Sequence, residues 1–502
     1  MKIDGFGSVA PRCYDAAGSC PFSRLSLRRS LLLPAAIAGA ALLAGTAASI
    51  AQPVADYLLP SGSLSGPVEF VTLFALSGTG EVTVDATLTG TGDAAAMMQT
   101  GGAMDGSARG LASYSQTGGT IQGRIEYTET FELSGDGTIL EGAQLVGDSG
   151  AVFEQSGGAM GGIVQFEDGT GISKYIQTGG DMTGSVSTGT YEASGGTFNG
   201  TANFSELFAL SGDASLGWID MFGDGDAVMT QTGGTMGAWV SDIETYTMSG
   251  GTILQAAEVR TDTFVQSGGT INGITEGNDW RAHVRFATEY ELSGDANIGL
   301  ANLIGDADAT MTQSGGTMGG HVYSDTPTET IAKYTQTGGD MTGQVTAEIY
   351  SLSGAGATSS GTIIASSAFD LGFDTGTATV GAKLSGAGKL VKTGLSTVVL
   401  TNAANDFSGG VAVDGGVLEV QNGALPEISA ITVGADATLR FNVASGTSTT
   451  YDGDMTGVGA LEKAGLGTMT MGGDIHLGAL LVDAGVLNIG NGAPEEASFE
   501  SA

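Results

Sequence analysis

The sequence predicts an all-β protein, a right-handed parallel β-helix (β-solenoid) of about 20 coils. Three observations lead there. The phrase YIQTGGDMTGSV at Tyr175–Val186 recurs almost unchanged as YTQTGGDMTGQV at Tyr334–Val345, and restating a phrase is what a repeat architecture does. Glycine supplies 86 of the 502 residues and proline only 9, a composition of many tight turns without the period of collagen. Apolar residues alternate over short runs with little 3.6-residue periodicity, which disfavours helical solenoids; a β-sandwich array is the competing all-β arrangement. Hydrophobic content of 41% is too high for a disordered chain.

Residues 1–51 read as a secretory signal with a long leading region. Arg24, Arg28 and Arg29 precede an apolar run, Leu31 to Gly45, and Ser49 and Ala51 mark a cleavage position before Gln52. The run is too short and too rich in Ala and Gly to span a bilayer stably. Both cysteines, Cys13 and Cys20, lie ahead of it, so the mature chain is expected to hold no disulfide and no thiolate metal site. Beyond residue 51, 12 Lys and Arg face 52 Asp and Glu, a net charge of −40. Such a field repels DNA, RNA and anionic lipid, and excludes nucleic acid as a partner.

Residues 52–372 carry a Gly-rich repeat of about 16–26 residues. Eight copies place Gln before a Ser/Thr-Gly-Gly turn, at Gln99, Gln116, Gln155, Gln177, Gln231, Gln266, Gln313 and Gln336. Seven others put Leu, Met or Ala at that marker: Leu76, Leu133, Ala193, Leu210, Met248, Leu292 and Leu352. Two residues earlier stands Tyr, Phe or Met, and residues two apart in a strand share a face. Apolar residues substitute for Gln at the marker, so this face points inward. A buried Gln is costly alone, and stacking on the Gln of the next coil is expected to satisfy it as an amide ladder. Glycine after the marker turns the corner. The blocks GDSGAVFEQSGG, GDGDAVMTQTGG and GDADATMTQSGG, starting at Gly147, Gly223 and Gly305, show that several coils were duplicated together.

From 373 to 490 the text changes. GAGKLVKTGLSTVVLTNAANDFSGGVAVDGGVLEV, Gly386 to Val420, holds Gly386, Gly388, Lys392, Gly394, Asn405, Phe407, Gly409 and Gly416 in a fixed order. A second copy from Gly457 repeats Gly459, Lys463, Gly465 and Gly485 but has a degenerate middle without the Asn and Phe-Ser-Gly. This pattern resembles the autotransporter-associated β-strand repeat of Gram-negative secreted proteins. The resemblance implies a β-helical passenger region delivered to the cell surface, for adhesion, aggregation or surface contact. It also implies an outer-membrane barrel, expected from another chain or a longer frame, because residues 491–502 read as an acidic tail. The destination implied is the cell surface, the extracellular space or the outer membrane, with the periplasm as the other option.

No catalytic, cofactor or metal motif stands out. The three histidines, His283, His321 and His476, are far apart, and neither HExxH, P-loop nor GxSxG is present. The Asp224 and Asp306 turns read as solvated acidic corners. A post-turn Thr recurs at Thr235, Thr252 and Thr270 but gives way elsewhere to Ala or Asp, too often for an ice-matching lattice. The segment NDWRAHVRF is the one cluster of functional character: Trp280, Arg281, His283 and Arg285 form a candidate ligand patch, with the arginines and histidine alternating onto one strand face. Such a face suits an anionic glycan. The expected partners are host-cell or matrix glycans or proteins, and no cofactor is expected. The alternative function is a β-helix polysaccharide lyase or glycosidase, which would need carboxylates clustered on one face.

Overall fold

A computed structural model describes residues 54–166, 171–272, 282–326, 328–354, 356–421, 423–426 and 430–490, with two short strands, Ala41–Leu42 and Ala497–Phe499. Among them it is all strand, a parallel β-solenoid of about 21 turns. Each coil lays one segment on each of three parallel ladders. In the coil of the first twin phrase, Tyr175–Gln177 lies on ladder A, Asp181–Met182 on ladder B and Ser185–Val186 on ladder C, before Tyr191 returns to A. Ala41 and Leu42 pair with Tyr57 and Leu58 at the start of ladder A.

Alternation places the core as the sequence expects. The residue two before each marker forms one inward column, and its rings stack from coil to coil: Tyr114, Phe131, Phe153, Tyr175, Tyr191 and Phe208 follow one another at 4.7–4.8 Å between centroids. Offset stacks of this kind add to the area buried. Ladder B contributes Ile121, Ile139, Met160 and Met182, and ladder C contributes Val240, Val259, Val284 and Leu303, all buried. At the corners after Gln the second glycine of the pair is required. Gly180 has φ +78°, and a Cβ there would meet the backbone of Gly157 and Gly158 within 2.6 Å.

The buried glutamines do lie in register, as with Gln155 beside Gln177, but the expected amide ladder does not form. Gln155 Nε2 instead donates to two backbone carbonyls, Gly158 at its own corner (3.4 Å) and Asp181 of the next coil (3.1 Å). Its Oε1 accepts from the Tyr175 hydroxyl of the next coil at 2.7 Å. The same hydroxyl contact joins Gln99 to Tyr114, Gln177 to Tyr191, Gln231 to Tyr246, Gln266 to Tyr290, Gln313 to Tyr334 and Gln336 to Tyr350. The amide's two N–H groups are taken by carbonyls at its own corner and on the next coil, and its oxygen by a hydroxyl, so nothing is left over for a neighbouring glutamine. Gln116 is the exception that explains the rule. The next coil offers it Phe131, and its Oε1 has no partner.

Ladders A and B continue from these coils into the segment after residue 372. Tyr350 pairs with Phe369, Phe369 with Leu390 and Leu390 with Val411.

Candidate ligand-binding face

Around Trp239, ladder C carries exposed aromatic side chains beside basic ones. Its outward residues form two columns, because a strand of this ladder shows alternate residues to solvent. In the first column Asp220, Trp239, Glu258, His283, Asn302 and His321 succeed one another coil by coil. In the second, Phe222 is followed by Ser241, and farther along Arg260, Arg285, Ile304 and Tyr323 are neighbours. Trp218 stands in the turn leading to Asp220–Phe222 and is 73% exposed; Trp239 is 48% and Phe222 38% exposed. The Arg260 guanidinium lies over the Trp239 ring, 5.4 Å from its centroid, a cation–π contact that holds the ring in place.

Both arginines of the face are already engaged. Arg260 Nε donates to Glu258 Oε1 at 2.8 Å, and Arg285 Nε donates to the same oxygen at 3.1 Å. Arg285 Nη1 also reaches Asp325 Oδ1 at 2.5 Å. Burial acts to lower the Arg285 pKa, but Asp325 and Glu258 together outweigh it and raise it. A groove of about 440 Å³ runs beside these residues, and Asp242, Asp262, Asp306 and Asp325 line it with Arg260 and Arg285. The groove therefore has more carboxylates than cations. No group of three metal-ligating side chains occurs among the described residues.

The sequence-derived patch is placed in part. His283 and Arg285 alternate outward on the strand His283–Leu292 as expected, and Asn302 Nδ2 lies 3.2 Å from His283 Nε2. Trp280 and Arg281 lie outside the described residues. Sequence reading missed Trp218, Phe222, Trp239 and Arg260. Trp239, Glu258 and His283 share one column although unequal numbers of residues separate them.

The repeat residues at 386–490 serve the corners. Lys392 is fully buried and its Nζ donates to three carbonyls, Thr393 (2.7 Å), Gly394 (2.8 Å) and Gly415 of the next coil (3.0 Å). Lys463 repeats the geometry with Ala464 (2.6 Å), Gly465 (2.8 Å) and Ala484 (3.1 Å). Burial lowers both ammonium pKa values, with Asp374 partly opposing this at Lys392. The residue carrying one of those carbonyls, Gly394 or Gly465, has φ +74° or +73°. Asn405 replaces a missing strand of ladder C: its Oδ1 accepts from Leu384 N (2.8 Å) and its Nδ2 donates to Ala424 O (2.7 Å). Phe407 is buried near Phe369, and at Gly409 a Cβ would lie 2.3 Å from the Ala387 carbonyl oxygen. Gly386, Gly388, Gly416, Gly457, Gly459 and Gly485 lie at strand ends or between strands.

Residues 390–420, which hold Lys392, Asn405, Phe407 and Gly409, match the passenger-associated-transport-repeat family. The chain carries an autotransporter passenger region. Over 118 residues it is 28% identical to the adhesin BmaC autotransporter of Brucella suis biovar 1 (strain 1330). That alignment covers 20% of this chain and 3% of the relative, so the chain matches only a small part of that protein's length. No solved structure matches. Passengers of this family are exported to the cell surface or the extracellular space.

Proposed function

We propose that this passenger is a non-catalytic surface-contact protein, exported by its N-terminal signal and adhesive toward host-cell or matrix glycans or proteins. One observation supports the reading most. Among the described residues, Trp218, Phe222 and Trp239 are the most exposed aromatic rings, and all three fall on two adjacent coils of one face. Exposed aromatics gathered on a rigid face mark contact surfaces. The name of the Brucella relative agrees with an adhesive role. Nothing favours the lyase or glycosidase alternative, and of the groove's carboxylates Asp325 is held by Arg285.

Deletion of the gene in the native host, followed by counting of bacteria retained on epithelial monolayers, tests this directly. The expected outcome is reduced retention, restored by the wild-type gene. Undiminished retention would refute an adhesive role. Release of reducing or unsaturated sugar ends by the purified chain would revive the enzyme.

A further inference from the structure

We propose that the strip formed by Trp218, Phe222, Trp239 and Arg260 on ladder C binds a neutral, hydroxyl-rich polysaccharide. The proposal deepens the surface-contact reading and rests on it for biological meaning, though not for the binding itself.

Three features of the strip define the ligand. First, Phe222 and Trp239 sit on a ladder whose coils advance by about 4.8 Å, with Trp218 in the turn just before it, a rigid platform that needs little ordering on binding. The C–H faces of a pyranose ring stack on indole and phenyl faces, and Trp239 is held for this by Arg260. Second, the neighbouring polar groups are acceptors: Asp220 and Glu258 flank Trp239 along its column, and the groove beside Arg260 is lined by Asp242, Asp262, Asp306 and Asp325. Carboxylates beside aromatic rings accept hydrogen bonds from sugar hydroxyls, and such bonds to a charged group are the stronger ones. Third, the strip has no uncompensated cation to offer. Arg260 shares Glu258 with Arg285, which also holds Asp325.

These features exclude the other occupants. An anionic glycan would meet the groove's four aspartates and a chain of net charge −37, a repulsive field for any polyanion. A second copy of the chain would bring the same charge against itself. A folded protein partner needs an interface of about 800 Å² per side, more than three rings supply at their centre. A neutral sugar polymer carries none of these costs.

Tryptophan fluorescence gives a direct readout, because the chain has only three Trp. The full chain is titrated with neutral polysaccharides of glucose, mannose and galactose and, separately, with heparin. The variant Trp218→Ala/Trp239→Ala is measured by calorimetry against the same polymers, with circular dichroism confirming its β content. Trp239→Tyr, which keeps a ring, serves as the conservative control. The expected result is a fluorescence change with at least one neutral polymer and none with heparin. Affinity should be at least tenfold weaker in the double variant and largely kept by Trp239→Tyr. Failure of every neutral polymer, equal binding by the double variant, or binding of heparin alone would overturn the proposal. A dimer in sedimentation that disappears in the double variant would likewise overturn it, by assigning the strip to self-association. Loss of cell retention without loss of sugar binding, or the reverse, separates this proposal from the adhesive reading.

Discussion

Gln336 and Lys392 occupy the same column of ladder A three coils apart, linked through Leu352 and Leu371. Each is fully buried, and each caps carbonyls at the corner it precedes and on the next coil. The upstream coils do this with a neutral amide whose oxygen then needs a hydroxyl donor, so the requirement is passed to the tyrosine of the following coil. The transport-repeat coils do it with an ammonium, which carries only donors and passes nothing on. The upstream region is thereby held by pairs between coils, and the downstream region by single residues that complete a corner alone. The upstream coils accordingly carry Gln followed by Tyr, or Leu, Met or Ala followed by Phe or Met, with Gln116 the exception.

The two designs respond to alkali with opposite signs. Burial raises the pKa of Tyr114, Tyr175, Tyr191, Tyr290 and Tyr334 well above 10.0. The folded chain then keeps protons that the unfolded chain loses above pH 10, so upstream stability falls as pH rises past that value. Lys392 and Lys463 are shifted the other way, below 10.5. The unfolded chain holds the extra proton there, and their contribution grows as pH rises toward 10.5. The largest expected effect is therefore cooperative alkaline unfolding of the upstream coils, seen as a steep rise in tyrosinate absorbance. Gradual titration of these tyrosines near pH 10 would contradict their burial.

Lys392→Met comes next. It strips the donor from three carbonyls at about 1–3 kcal/mol for each one left dry. Hydrogen exchange should show fast amides around residues 389–416 with the coils near Tyr175 unchanged. Tyr175→Phe removes one hydroxyl and leaves Gln155 Oε1 unpaired, an expected loss of about 1–3 kcal/mol in urea unfolding. The smallest effect is a gain. Phe131→Tyr would supply the donor that Gln116 Oε1 lacks, worth about 1 kcal/mol, and an unchanged or lower urea midpoint would count against the pairing.

Much of the solenoid was legible in the sequence because strand alternation and corner glycines are local signals. The hydrogen-bond routing was not read, although its trace is present. After every Gln marker except Gln116 the next coil has Tyr, and after every Leu, Met or Ala marker it has Phe or Met. That pattern shows only when adjacent coils are compared, while alternation within a strand gives no hint of it. Phase was hidden too. Lys463 lies 71 residues after Lys392, not a whole number of coils, and the structure puts it on ladder B, paired with Phe441. The aromatic strip escaped for a similar reason: Phe222, Trp239 and Arg260 come from three successive coils, and only Arg285 and His283 lay within one readable segment.

The Gln–Tyr pairing is tested most directly by a double-mutant cycle on Gln155 and Tyr175. Gln155→Leu and Tyr175→Phe each break one half of the pair, and together they recreate the Leu133–Phe153 arrangement present one coil earlier. The expected result is a double variant with a urea midpoint above that of Tyr175→Phe alone, a coupling of about 1 kcal/mol or more. Losses that simply add would show that the two residues are independent, and that the coils are held in register by packing alone.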